Sequence, residues 1–288
     1  MSKIEKALNR AAADRKLVVA HPRAEQSADA QQLAVVGTTG LVDDASDNRS
    51  SETIARMQET SLRTPAELST WGIISPEMGE NAAIKPFREL RTKILQKTQG
   101  KNAVVMVTSV THGSGASFVA LNLSAAFAFD IGKTALLMDC NLQKQSLQRL
   151  FPEPDVSGLT DYLDDPEVDI SKIIHAVGVE RLRVIPVGAR REKGSEYFTS
   201  GKMKRLIDAL RTRYPERFVI VDGPPILESA DTQILGDLCD YVILVVSYGT
   251  VTSSQLERAV KAIDRNKLLG VVFNNEPQLP RFGKAKQS

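Results

Sequence analysis

Cysteine is almost missing: 288 residues carry two, Cys140 and Cys239, with no CxxC spacing and no nearby His pair. That argues against a disulfide scaffold and a thiolate metal site, and leaves two core thiols suited to a reducing cytosol. Long apolar runs are missing too. No stretch approaches the roughly 20 residues needed to cross a bilayer, and no signal-peptide core opens the chain. The expectation is therefore a cytoplasmic protein unless a partner tethers it. Charge of one sign is not in excess, because 37 basic and 35 acidic residues leave a net +2. Such a balance gives no global argument for a membrane surface or for nucleic acid, and no nucleic-acid partner is expected. Aromatic residues are absent from the first 70 positions; the first is Trp71.

That last absence divides the chain. Residues 1–18 read as a short amphipathic helix, with Ile4, Leu8 and Ala11 on one stripe and Lys3, Lys6, Arg10, Arg15 and Lys16 around it. It is either a docking element or a solvated, frayed helix, since so small an apolar face stabilises little alone. Residues 19–70 are polar, with little large apolar surface to offset ordering entropy, and are expected to form a disordered tether. A short helix near Ser51 to Thr60 is the exception anticipated within it. The folded domain is expected over 71–276, followed by a flexible tail, 277–288.

Inside the domain, Phe87, Leu90, Ile94 and Leu95 mark a helical stripe whose polar side carries Arg88 and Arg91. Strands and helices then alternate. Strands are expected at Ala103 to Thr108, Thr134 to Asp139, Leu182 to Val187, Phe218 to Asp222, Tyr241 to Val246 and Gly270 to Phe273. Helices are expected at Ser117 to Asp130, Asp169 to Val177, Gly201 to Tyr214, Ala230 to Leu238 and Ser253 to Arg265. Apolar strands separated by helices imply an α/β fold: a mostly parallel central sheet with helices on both faces, P-loop NTPase-like, preceded by the tether.

Three strand ends carry polar groups where an open α/β sheet places its ligands. After the first strand, His112-Gly113-Ser114-Gly115-Ala116-Ser117 takes the place of a phosphate loop. Glycines there let successive amides point at phosphate oxygens, and the helix N-terminus adds positive potential. The Walker A pattern puts Lys where Ala116 stands and a Mg²⁺-binding hydroxyl at Ser117. A tight strand-to-helix turn without a ligand is the competing reading. The second strand ends in Asp139, which can hold a metal-bound water, accept a proton or simply cap the next turn. The run Val219-Ile220-Val221-Asp222-Gly223-Pro224-Pro225 has Walker B form, with Asp222 as the Mg²⁺ carboxylate; a Pro-Pro turn after an ordinary buried strand is the alternative. Asn274 ends the last strand in an amide that can meet an adenine edge or cap the strand.

With these residues in order, the chain resembles the bacterial tyrosine kinases (BY-kinases), P-loop proteins found with exopolysaccharide and capsule co-polymerase systems and similar to the MinD and ParA ATPases. The resemblance runs from about Pro76 to Asn275 and is carried by FRELRTKI, GSGAS, LLMD, SGLTDYL, VIVDGPP and LLGVVFN. The opening MSKIEKAL is similar to soluble members of that family. The resemblance implies a Mg-ATP site in which a loop Lys, the two aspartates of DxDxR and a Walker B Asp act together. Ser117, Asp139 and Asp222 match that set, whereas Ala116, Asn141 and Gln143 depart from it, and Lys144 keeps a positive charge next door. The family's assembly motif ExxRxxR is reduced to Lys85, Arg88 and Arg91, and no C-terminal tyrosine cluster follows Tyr248.

What the resemblance then implies is a regulatory or scaffolding subunit of polysaccharide export and chain-length control, impaired in catalysis. ATP or ADP with Mg²⁺ is expected at a weakened site formed by Gly113, Ser114, Gly115, Ala116, Ser117 and Asn274, with Ser117, Asp139 and Asp222 on the metal. The implied partner is an integral-membrane co-polymerase that would hold the protein peripheral to the inner membrane, and homo-oligomers through the Arg88/Arg91 helix remain open. Two other readings stay open: an active atypical tyrosine kinase in which Lys144 or a partner's Arg supplies the missing charge, and a MinD/ParA-like positioning ATPase. Against the latter, no Lys occurs between Val104 and Phe129.

Overall fold

The computed structural model describes residues 61–78, 84–153, 155–189 and 194–275. The expected N-terminal helix, residues 19–60 of the expected tether with the short helix near Ser51 to Thr60, and the tail lie outside them. Runs rich in β-branched and other apolar residues form the largely buried strands β1 (Val104–Ser109), β2 (Thr134–Asp139), β4 (Leu182–Ile185), β5 (Arg217–Asp222) and β6 (Tyr241–Ser247), and the half-buried edge strand β7 (Leu268–Asn274). A two-residue strand, β3 (His175–Ala176), pairs antiparallel with β4; all other pairings are parallel. The sheet order is β3-β4-β2-β5-β1-β6-β7. Because β2 pairs with β5 rather than β1, the β1-to-β2 crossover spans β5, and the ends of β1, β5 and β2 lie side by side.

Alternation along each strand feeds two cores. Val105 and Val107 of β1 face one side, together with α1 (Pro65–Thr70), α2 (Lys85–Lys97) and α3 (Ala116–Ala128). Val104 and Met106 face the other, where α4 (Leu159–Asp164), α5 (Gly194–Phe198), α6 (Gly201–Arg213), α7 (Asp231–Leu238) and α8 (Ser253–Lys261) pack. Helix α3 is apolar around nearly its whole circumference, which is why it lies buried between the sheet and α2. Phe127 near its end stacks on Phe218 with ring centroids 4.1 Å apart.

Two expectations are corrected. Over 169–177 the chain forms a 3-10 turn, Ile170–Ile173, and then β3 instead of a helix. His175 and Ala176 pair with Val184 and Arg183 to extend the sheet edge, and a ring nitrogen of His175 lies 2.7 Å from the Ser157 carbonyl oxygen. The tether does not reach residue 70. Thr64 and Glu67 form a reciprocal capping box with Pro65 in the first turn, so α1 starts within the segment read as tether. Arg63 stacks 3.4 Å from the Trp71 ring centroid and donates to the carbonyls of Val177 and Leu150. These contacts offset the scarcity of apolar side chains.

Candidate functional site

The polar groups singled out in the sequence gather at the carboxyl edge of the sheet. The loop after β1 turns at Gly113 and Gly115, both left-handed (φ 79° and 84°), and Gly115 is the N-cap of α3. A side chain at Gly115 would also run into the Asn274 amide. Glycine at 115 is thus required both for its backbone conformation and for space. Ser114 Oγ closes the turn by donating to the Thr111 carbonyl at 2.9 Å. The amides of Ala116 and Ser117 open the helix and have no intrahelical acceptor, which with the helix dipole makes the loop a receptor for anions. Ala116 contributes a methyl group where a cation is expected.

Below the loop, Asp139 and Asp222 are directly paired across β2 and β5. Both are buried. Asp139 accepts the Asn141 amide at 3.0 Å and the Leu147 amide at 3.3 Å. Burial pushes its carboxyl up to about 7, and those two amides pull it only part of the way back. Burial, then the charge of Asp139, raises Asp222 well above the carboxylate range; the Ser117 hydroxyl and the Lys144 ammonium oppose the shift. Neither Asp222 oxygen has a hydrogen-bond donor in good geometry. Two carboxyls so placed hold at least one proton at neutral pH, or they hold a cation. Next to them, burial keeps the Cys140 thiol fully protonated, and Cys239 is pushed up to about 12 for the same reason. Both are core residues, as the sequence suggested.

The remaining candidates behave differently. Asn274 Nδ2 donates to the Ser114 carbonyl at 3.0 Å, so this amide braces the loop from β7. On α2, Arg91 is engaged within the fold: it donates to the Ala126 carbonyl at 2.9 Å and meets Asp130 at 3.6 Å, closing the C-terminal end of α3. Arg88 is exposed. One pair was not legible in any motif. Glu228, from the turn after Asp222, accepts the His112 amide at 3.1 Å, and its other oxygen lies 2.9 Å from His112 Nε2.

Among the described residues no cluster of three His, Cys, Asp or Glu side chains could hold a metal unaided. A Mg²⁺ ion here would need phosphate oxygens to complete its shell, with Ser117, Asp139 and Asp222 as the protein donors. The orphaned oxygens of Asp222 and the glycine-lined cradle fit a metal-bound phosphate. The missing cation does not. No described helix is long and apolar enough to cross a membrane.

No protein-family model matches the chain. It is 33% identical over 193 residues to the tyrosine-protein kinase YwqD of Bacillus subtilis, the match covering 66% of this chain and 80% of that protein. It is 32% identical over 215 residues to EpsB of Ralstonia solanacearum, a tyrosine-protein kinase by name, covering 73% of this chain and 28% of that protein. This chain therefore spans less than a third of the length of EpsB. Among solved structures, the chimerical protein CapA2B2 superposes with a TM-score of 0.65 at 25% identity, covering 81% of this chain and all of that one. The kinase domain of the Escherichia coli tyrosine kinase ETK gives 0.64 at 24% identity, covering 80% and 86%.

Proposed function

This chain belongs to the bacterial tyrosine-kinase family, and from that premise we propose that it is a catalytically impaired member that keeps a weakened nucleotide site. It would serve as a regulatory or scaffolding subunit in polysaccharide export. One observation carries the reading: Ala116 opens the helix where a loop lysine is expected, next to Ser117, whose hydroxyl acts on Asp222 of the buried Asp139–Asp222 pair. A cation about 4 Å from a phosphate oxygen contributes on the order of 4 kcal/mol at an effective dielectric of 20, before desolvation is subtracted. Backbone amides from Gly113 to Ser117 can still seat phosphates. When bound, Mg²⁺ would supply the neutralisation of phosphate charge that the loop lacks. Ser117 and Asp222 would orient it, and Asp139 would hold a proton or a metal-bound water.

Transfer of a phosphoryl group is another matter. Losing one preorganised donor to a developing charge costs roughly 10²- to 10³-fold in rate, and here Asn141 also replaces a carboxylate. The test is phosphotyrosine formation by the purified full chain with Mg-ATP and a tyrosine-containing acceptor. The expected yield matches an Asp139→Ala control; clear incorporation that this variant abolishes overturns the impaired reading. Thermal unfolding reads the binding half separately. A nucleotide at about 100 times its Kd stabilises by about 2.7 kcal/mol.

A second reading has one observation behind it. The charge of Lys144 reaches Asp222 and opposes the rise of its pKa, which supports a role for this exposed side chain as a substitute cation. An active, atypical kinase of this kind should transfer phosphate only once its partner is present, and Lys144→Ala should abolish the transfer. The partner we propose is an integral-membrane co-polymerase that holds the protein at the inner membrane. Contact or self-assembly through α2 would rest on exposed Lys85 and Arg88, because Arg91 is spent on α3. Co-purification unchanged by Arg88→Glu would count against that face.

A further inference from the structure

The turn that follows β5 is firmly held. Gly223 and Ile226 donate their amides to the carbonyls of Val107 and Ser109 at 2.9 and 2.8 Å. Thr108 and Thr232 both place hydroxyl protons on the Pro224 carbonyl, at 2.6 and 2.9 Å. Two prolines stiffen the same stretch. Glu228 therefore projects from a rigid support, and its carboxylate is fixed on the first part of the phosphate loop by its two contacts with His112. The loop thus carries a carboxylate of its own and no lysine.

Position along the loop decides what that carboxylate would meet. Loop amides near the helix start cradle the inner phosphates, whereas the Walker lysine reaches the outer ones and the metal bridges the last two. Ala116 removes the outer contact and leaves the inner cradle intact. Asp222, the expected metal ligand, ends β5, and Glu228 follows in the next turn and contacts His112, at the end of the loop away from the helix start, which is the end where the outer phosphates would lie. A diphosphate needs the inner amides and the helix dipole. A third phosphate would have to approach a like charge with no loop cation to offset it. It would also find the His112 ring and amide already bonded to Glu228. Lys144, the cation nearest the acid pair, is partly offset by Asp222.

Resting on the nucleotide-site reading above, we propose that this loop selects nucleoside diphosphates over the corresponding triphosphates, with Glu228 as the residue that excludes the third phosphate. The protein would then report a spent nucleotide rather than consume a fresh one. Calorimetric titration of the full chain with ADP and with ATP, in Mg²⁺, tests this directly. Wild type should bind ADP roughly fivefold or more tightly than ATP, given one like-charge contact at a solvent-exposed carboxylate. Glu228→Gln, at a part-exposed position that should not disturb folding, should bring the ratio towards one by strengthening ATP, with ADP changed about threefold or less. A melting temperature within a degree or two of wild type would confirm that the variant is folded. Ala116→Lys should strengthen ATP more than ADP. Equal or tighter ATP binding by wild type, or a ratio that Glu228→Gln leaves alone, overturns the selectivity while leaving the nucleotide site standing. A folded protein that binds neither nucleotide removes the nucleotide site and the selectivity with it.

Discussion

The two ends of the sheet use the same residue types in opposite ways. At the amino edge, Asp240 accepts the Val104 amide at 2.8 Å and meets Arg211 at 3.1 Å. Arg211 also reaches Asp208 and the Leu238 carbonyl, and Lys267 closes the end of α7 on the carbonyls of Gly236 and Asp237. The exception there is buried Glu216, whose two carboxylate oxygens have no hydrogen-bond donor; it sits beside Arg217, whose pKa burial lowers while the charges of Tyr214 and Glu216 hold it up. At the carboxyl edge, two carboxyls lie side by side and Asp222 has no donor in good geometry. One end spends its polar groups on holding strands and helices together. The other sets the unsatisfied Asp222 beside a second buried carboxyl under the glycine loop, and unspent capacity at such a cradle marks a place where a ligand or a proton completes the structure.

Substitutions can break or sharpen that contrast. Ala116→Lys should do most, strengthening Mg-ATP binding by roughly 10- to 100-fold, the range for a hydrogen bond to a charged group. Titration calorimetry reads it, and no gain would mean that the loop amides do not face phosphate. Next comes the amino edge. Asp240→Ala should lower stability by about 2 kcal/mol, because it strands the Val104 amide and one arm of Arg211, yet leave the ADP-to-ATP ratio untouched. Denaturant unfolding beside the same titration separates the two.

The acid pair should respond with the opposite sign. Asp222→Asn relieves a buried like-charge contact, so at pH 8 the unliganded protein should gain on the order of 1 kcal/mol while nucleotide binding loses its Mg²⁺ dependence. The pH dependence follows from the raised carboxyls. Asp139 is shifted up from 3.8 to about 7 in the fold, so its contribution to stability is complete below its unfolded pKa and is lost as pH rises through about 7. Stability should therefore fall between about pH 4 and 7, and Asp222→Asn should flatten the slope. A flat wild-type profile would mean that the pair is neutralised in another way. The smallest effect is expected at Arg88→Glu, where the exposed change should stay within about 0.5 kcal/mol in the monomer and be visible only in assembly or co-purification.

Much of the fold was legible because its strands are short apolar runs of the kind a sheet covered on both faces requires. β2 has the bounds expected, and β1, β5 and β6 differ by a residue or so. β3 escaped notice, since two residues carry no periodicity and its pairing depends on where β4 lies. Helix α1 was hidden for a different reason. Its Thr64-to-Glu67 capping signal is present, but the segment was read by composition, and the stacking of Arg63 on Trp71 joins positions whose order is visible only once folded. Asn274 was read as either a contact for an adenine or a cap for its strand; the fold adds that it braces Ser114 across 160 positions of sequence.

By itself the sequence determined which residues bear chemistry: glycines where a loop must turn, carboxylates after apolar runs, and alanine in place of lysine. Those are local facts, set by backbone freedom and by side-chain type. Only the tertiary structure decided which of them meet. The strand order β2-β5-β1 places Asp139 against Asp222 and brings the Glu228 turn onto His112, and no spacing along the chain encodes that order. Electrostatic energy depends on separation and burial in space, so the charge balance of the site came into being only when the sheet closed.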